Sequence, residues 1–142
     1  MHRTDGVLHR KGAAPSDQGL VVVPGSRGAL SYLVAPLATA PKEALDSIAH
    51  GAGRKFDRGS MIGRAGATRS DRERLARNPF GGRVICEDRA LLVEEAPEAY
   101  KPIAGVIADL AAFGLARAVA TFRPLVTVKK IAVVRPRKED RR

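Results

Sequence analysis

Ala49-His50-Gly51-Ala52-Gly53-Arg54-Lys55-Phe56-Asp57-Arg58 is the stretch around which this 142-residue chain is organised. A histidine is followed by two glycines and then by the cations Arg54, Lys55 and Arg58. Glycines let a backbone approach a ligand closely and take positive φ. Successive N–H groups in such a turn form an anion-binding concavity. The cations would add charge for phosphate, and arginine can bind it bidentately. His50 would then lie beside a bound phosphate, where a histidine nucleophile attacking phosphorus has to be. A partly buried loop histidine is the commoner meaning of such a residue, so the reading needs support from the rest of the chain.

On the N-terminal side, residues 42–49 predict a short helix with Pro41 near its start. Leu45 and Ile48 would share a face, and Gly51 would be the capping glycine just past its end. His50 would sit at that C-terminal end, which favours a charged imidazole. Further upstream, residues 20–23 and 30–34 read as strands. Between them lies a second glycine-rich loop, Pro24-Gly25-Ser26-Arg27-Gly28, with a hydroxyl and a guanidinium suited to phosphate or ribose. It is neither a Walker A loop nor the dinucleotide fingerprint. His9-Arg10-Lys11-Gly12 suits a phosphate contact or a solvated strand end equally well.

On the C-terminal side, residues 59–68 are rich in Gly and Ala, hence mobile or tightly packed. Residues 70–77 read as a helix with Ser70 and Glu73 in a capping-box pattern. Residues 82–87 predict a strand containing Cys86, and residues 91–94 extend it after a turn. Glu87, Asp88, Glu94, Glu95 and Glu98 form an acidic run without a histidine. That favours surface charge or pairing with arginines over metal ligation. Residues 97–115 hold the clearest helix, because Ile103, Val106, Ile107 and Leu110 follow the 3.6-residue period. Strands follow at 118–122 and 126–134, and they place Lys129 and Lys130 on opposite faces, one of them able to face a pocket. Residues 135–142 form a charged tail expected to be disordered.

The length suits one domain. Hydrophobic residues make up 44% and aromatics only 4%, with no Trp, so the core should be aliphatic. A formal net charge of +10 favours a polyanionic partner, such as RNA, DNA or nucleotide. One cysteine excludes an internal disulfide framework and a Cys-rich zinc site, and it fits a reducing compartment. No apolar run reaches membrane-spanning length, and the N-terminus lacks the apolar stretch of a signal peptide. A cytoplasmic protein without membrane contact is expected. The other histidines, His2 and His9, lie in no metal-ligand motif, so no residue is assigned to a metal.

Four segments stand in order: His9-Arg10-Lys11-Gly12-Ala13; Pro24-Gly25-Ser26-Arg27-Gly28-Ala29-Leu30-Ser31-Tyr32; His50-Gly51-Ala52-Gly53-Arg54; and Arg123-Pro124-Leu125 followed by Lys129. Together they resemble the C-terminal part of RtcB-type RNA-splicing ligases, roughly over residues 8–129. Gly82-Arg83-Val84-Ile85-Cys86-Glu87-Asp88 and Glu94-Glu95-Ala96-Pro97-Glu98-Ala99-Tyr100-Lys101 are most similar to the branch associated with peptide chain release factor H.

The resemblance implies an α+β fold of mixed strands and a few helices, one flank of a larger single-domain fold. Residues 1–134 would be that ligase portion and 135–142 a basic tail. The family joins RNA carrying a 2′,3′-cyclic phosphate or 3′-phosphate to RNA with a 5′-hydroxyl, using GTP and Mn²⁺, in RNA repair and tRNA splicing. His50 matches the histidine that becomes a histidine–GMP phosphoramidate. Pro24, Gly25, Ser26, Arg27 and Ser31 match the nucleotide-contacting loop, Gly51, Ala52 and Gly53 the turn against the guanylate, and Lys129 a near-terminal lysine on the nucleotide. Arg54 and Arg58 are expected phosphate contacts.

Three departures accompany the match. The family's Mn²⁺ ligands, an Asp, a Cys and several His, lie upstream of this segment, so no complete metal site is expected, and a separate N-terminal ligase portion is a candidate partner. Arg27 stands where Met is often found. Asp57 stands where a Ser usually precedes the second Arg, and an acid there would repel phosphate. The rival expectations are a non-catalytic basic remnant that binds RNA or nucleotide, and a fragment that folds poorly.

Overall fold

The computed structural model describes residues 6–130. Most of its strands are short, and all but one of their pairings join segments distant in sequence. Strand β1 (Ala13–Pro15) pairs antiparallel with β4 (Ser47–Ala49). Strands β2 (Val21–Val23), β3 (Ser31–Pro36) and β6 (Ala116–Phe122) form an antiparallel sheet in the order β2-β3-β6. Strands β5 (Arg83–Ile85) and β7 (Val126–Val128) pair in parallel. The helices are α1 (Arg58–Met61), α2 (Arg69–Leu75), α3 (Arg89–Glu94) and α4 (Ile103–Ala112), with 3₁₀ turns at Lys42–Ala44 and Pro97–Ala99. This is the α+β class expected from the sequence.

Two aliphatic clusters form the core. Val23, Val34, Ile48, Ala52, Ile103, Leu110 and Ala116 lie between the three-stranded sheet and α4. Met61, Ala65, Leu75, Val84, Leu92, Val93, Ala96 and Ala99 lie among α1, α2, α3 and β5, with Phe56, Cys86 and Tyr100 packed at the edge. The segment from His50 to Phe56 crosses from one cluster to the other: Ala52 belongs to the first, and Phe56 packs on the second. It is pinned there by backbone bonds from Lys55 N to the Ala99 carbonyl (2.7 Å) and from Lys101 N to the Gly53 carbonyl (3.0 Å).

Several local expectations are corrected. Residues 42–49 are not a helix. After the 3₁₀ turn, Leu45 (φ 50°) and Asp46 (φ 48°) are left-handed, and the chain enters β4. Pairing with β1 sets Ile48 opposite Ala14 and buries it to 3% exposure, so core burial overrides local helix propensity. Arg10 braces this turn, donating from Nε to Ser47 Oγ (2.9 Å) and from Nη2 to the carbonyls of Leu45 and Asp46. His50 therefore follows a strand. The helix-end argument for its charge lapses, and Gly51 caps no helix.

Residues 91–94 belong to α3 rather than to a strand, because Asp88 Oδ1 caps the helix at Leu91 N (3.0 Å) and Leu92 and Val93 turn into the second cluster. The capping box of α2 is Thr68 with Asp71, two residues earlier than Ser70 with Glu73. The helix expected over 97–115 divides at Pro102, since a proline disfavours helical backbone in the residue before it, and Tyr100 is extended. Strand β5 ends at Ile85, so Cys86 lies just beyond it. Within residues 59–68, Met61 and Ala65 are buried while most of the other positions are exposed. The strand expected over 126–134 ends at Val128, so Lys129 and Lys130 lie just beyond β7; residues 131–134 and the tail at 135–142 lie outside the described residues. Among the described residues, no helix is long and apolar enough to cross a membrane.

Candidate functional site

A cavity of about 350 Å³ opens where the two clusters meet. The loop from Pro24 to Arg27 forms one wall, the segment from His50 to Arg54 another, and Glu95, Tyr100 and Lys129 complete the lining. Nine of the ten expected nucleotide-site residues line it, namely Pro24, Gly25, Ser26, Arg27, His50, Gly51, Ala52, Gly53 and Lys129. Ser31, the tenth, is not among the lining residues. It sits behind the loop and accepts the Gly25 N–H on Oγ at 3.2 Å.

The loop closes through its own hydroxyl, since Gly28 N donates to Ser26 Oγ (3.3 Å) and Ala29 N to the Ser26 carbonyl (2.9 Å). Gly25 is required sterically: a Cβ there would lie 2.0 Å from the Leu30 carbonyl oxygen. In the facing segment, Gly53 has φ +69°, a backbone that side chains rarely tolerate. His50 is exposed, and its N–H donates to the Gly12 carbonyl at 3.4 Å. Buried Ala52 anchors the segment two residues later.

Arg54 is not the free phosphate ligand expected of it. Its Nε donates to the Phe56 carbonyl (3.0 Å), Nη2 to the Glu94 carbonyl (2.7 Å) and Nη1 to Glu95 Oε1 (3.1 Å). Its guanidinium also lies 5.2 Å from the Tyr100 ring centroid. It is a clamp between the histidine segment and α3. Arg58 extends this charge cluster, with Nε 3.6 Å from Glu95 and 3.9 Å from Glu94.

Glu95 is the hub of the cavity floor. It is 8% exposed and accepts from Arg54, from the Tyr100 hydroxyl and from Lys129 Nζ (3.4 Å). Burial alone would raise its pKa, but Tyr100, Lys129 and Arg54 outweigh burial and hold the carboxyl below the usual glutamate range. Tyr100 moves the other way, because burial and the adjacent carboxylate both push its hydroxyl up. Lys129 is placed by the parallel ladder, where its N–H donates to the Ile85 carbonyl at 3.0 Å. Lys130 points elsewhere, to Asp88 Oδ2 at 2.7 Å.

Sequence reasoning assigned neither Glu95 nor Tyr100 to the site. The acidic run reads as surface charge or pairing with arginines; Glu95 is paired with Arg54, but nothing in that run marks which acid is buried in the cavity. Arg27 is 6% exposed and donates Nη2 to the Leu92 carbonyl at 2.6 Å. Its Nε and Nη1 are buried without a hydrogen-bond partner, and burial lowers its basicity below that of an ordinary arginine. Asp57 does not line the cavity. It caps α1 by accepting from Ser60 N at 2.9 Å, which also holds its carboxyl below the usual range.

The described residues do not fit a Mn²⁺ site. No three His, Cys, Asp or Glu side chains converge among them. Within the cavity lining only His50 and Glu95 are of ligand type, and the Glu95 oxygens are taken by cations and a hydroxyl. What the arrangement offers is an exposed histidine at a glycine-lined cavity that Lys129 also lines.

The family model described as "tRNA-splicing ligase RtcB" matches residues 1–130. The RNA-splicing ligase RtcB2 of Escherichia coli is 49% identical over 124 residues, covering 87% of this chain and 32% of that protein. The tRNA-splicing ligase RtcB of Methanocaldococcus jannaschii is 34% identical over 87% of this chain and 14% of its own length. That of Thermococcus kodakarensis is 35% identical over 90% of this chain and 30% of its own length. The chain therefore spans about a third or less of the length of these relatives. With all of its described residues inside the matched region, it belongs to the tRNA-splicing ligase RtcB family.

Proposed function

We propose that this chain is the nucleotide-handling portion of an RNA ligase that works through a guanylated histidine. The observation that carries the reading is His50 at a cavity lined by the Pro24–Arg27 loop and by Lys129. A lone pair of the His50 imidazole attacks the α-phosphorus of GTP, a P–N bond forms and pyrophosphate leaves. The guanylate passes to an RNA 3′-phosphate, breaking the P–N bond. An RNA 5′-hydroxyl then attacks that 3′-phosphorus, and GMP leaves. RNA ending in a 2′,3′-cyclic phosphate enters the same sequence once opened to the 3′-phosphate.

The chain's own groups bind and orient. The Pro24–Arg27 loop lets the ligand approach the backbone closely, and the buried unpartnered donors of Arg27 suit phosphate or ribose oxygens. Lys129, held by Glu95, offers a fixed cationic donor to the nucleotide. The described residues do not fit Mn²⁺. We assign metal binding to an N-terminal ligase portion, joined to this chain or separate. Residues 1–134 are read as the C-terminal ligase portion with a basic tail at 135–142, working in the cytoplasm.

The lack of convergent metal donors among the described residues favours a second reading, a non-catalytic module that binds RNA or nucleotide. Intact mass after incubation with GTP and Mn²⁺, alone and with an N-terminal portion of a relative supplied, separates the two. The ligase reading expects an acid-labile guanylate adduct that His50→Ala abolishes. Nucleotide binding with no adduct under either condition supports the module.

A further inference from the structure

Helix α3 also borders a second depression, whose lining shares no residue with the cavity. The Leu92 carbonyl accepts from Arg27 on the cavity side, while Leu92 also lines a shallow groove between α2 and α3. One wall of this groove is the face of α2 bearing Arg69, Arg72, Glu73 and Ala76, spaced i, i+3, i+4, i+7. The other wall carries Arg89. Ala76 is shared with a neighbouring depression lined by Arg77, Arg83 and Glu87, so the two adjoin.

The charges here are poorly compensated. Arg69 is paired with Glu73 at 2.9 Å. Arg72 donates to the Gly66 carbonyl at 3.2 Å and is only partly offset by the neighbouring Asp71 carboxylate. Among the described residues, Arg77, Arg83 and Arg89 have no ion-pair partner, and all three are exposed. Arg77 and Arg83 face each other across an isolated antiparallel bridge. Like charges directly opposite are destabilising. Such an arrangement is relieved when a polyanion lies between them.

We infer that this groove is a track for the phosphodiester backbone of RNA, separate from the nucleotide cavity. Guanidinium groups on both walls suit the bidentate recognition of successive phosphates. Two adjoining depressions in line fit a linear polyanion better than a flat anionic membrane. Backbone contacts of this kind position an RNA without reading its sequence. The choice of RNA over another polyanion rests on the ligase reading above; the cationic track itself does not.

The test is fluorescence anisotropy of a labelled single-stranded RNA, titrated at several KCl concentrations. The variant Arg77→Ser/Arg83→Ser/Arg89→Ser is compared with wild type and with Lys42→Ser/Lys101→Ser/Arg117→Ser, which removes equal charge from exposed sites outside the groove. Losing three phosphate contacts should weaken binding roughly tenfold or more and flatten the log–log salt slope by about 2, at ~0.7 per contact. The control variant should change both far less. Equal losses in the two variants, or wild-type affinity and slope in the groove variant, would overturn the inference. So would a groove variant that loses binding to phosphatidylserine vesicles while keeping its RNA affinity. His50 guanylation, scored separately, should survive in the groove variant, so failure of the ligase reading is distinguishable from failure of the track.

Discussion

Removing the Glu95 carboxylate should loosen the cavity and the whole fold. In Glu95→Ala, Arg54 loses its 3.1 Å partner, Lys129 its 3.4 Å partner, and the Tyr100 hydroxyl its acceptor. Breaking a fully buried pair by deleting one member costs about 3–5 kcal/mol. Here the carboxylate is buried, but the side chains of Arg54, Lys129 and Arg58 are 25%, 35% and 67% exposed, so water recovers part of their solvation. Arg54 also keeps its bonds to the Phe56 and Glu94 carbonyls. The expected loss is therefore about 2–3 kcal/mol. For a domain of this size that is a fall in melting temperature of roughly 6–12 °C. Circular dichroism melts of wild type, Glu95→Gln and Glu95→Ala would read it, with the Gln variant in between because its amide oxygen still accepts from Tyr100. A Glu95→Ala melt within about 2 °C of wild type would refute the assignment of Glu95 as the hub.

Acid should act through the same group. A carboxyl held below its ordinary value adds stability that is fully present above the unfolded pKa of about 4.3 and is lost as pH falls through the folded value. The melting-temperature gap between wild type and Glu95→Gln should then narrow below that pH; a constant gap would count against the carboxylate's charge as the source. Gly25→Ala would force the loop off the Leu30 carbonyl, costing about 1–3 kcal/mol and reducing GTP affinity, which calorimetric titration would show. Arg27→Met removes two buried unpartnered donors and one hydrogen bond, so the free protein should gain about 1 kcal/mol in urea unfolding. Pyrophosphate should then stabilise wild type more than the variant.

Both glycine-rich loops were legible because their chemistry is local. Gly25 and Gly53 sit where a side chain would clash or strain, and composition records that directly. The α4 helix was legible from the periodicity of Ile103, Val106, Ile107 and Leu110, whose two ends are buried. What local reasoning missed depends on distant partners. Residues 47–49 form a strand because β1 pairs with them, more than 30 positions earlier in the chain. Arg54 reads as a phosphate ligand until Glu94, Glu95 and Tyr100, some 40 positions on, are seen to saturate it. Glu95 and Lys129 are likewise joined only in three dimensions, through the parallel pairing of β5 with β7.

The most direct test of the central claim is peptide mapping of the protein after incubation with GTP and Mn²⁺ in the presence of an N-terminal ligase portion. The expected result is a guanylate on the peptide containing His50, stable in alkali, released by mild acid and absent from His50→Ala. A guanylate on any other residue, or none on a His50 that binds the nucleotide in the same experiment, would contradict it.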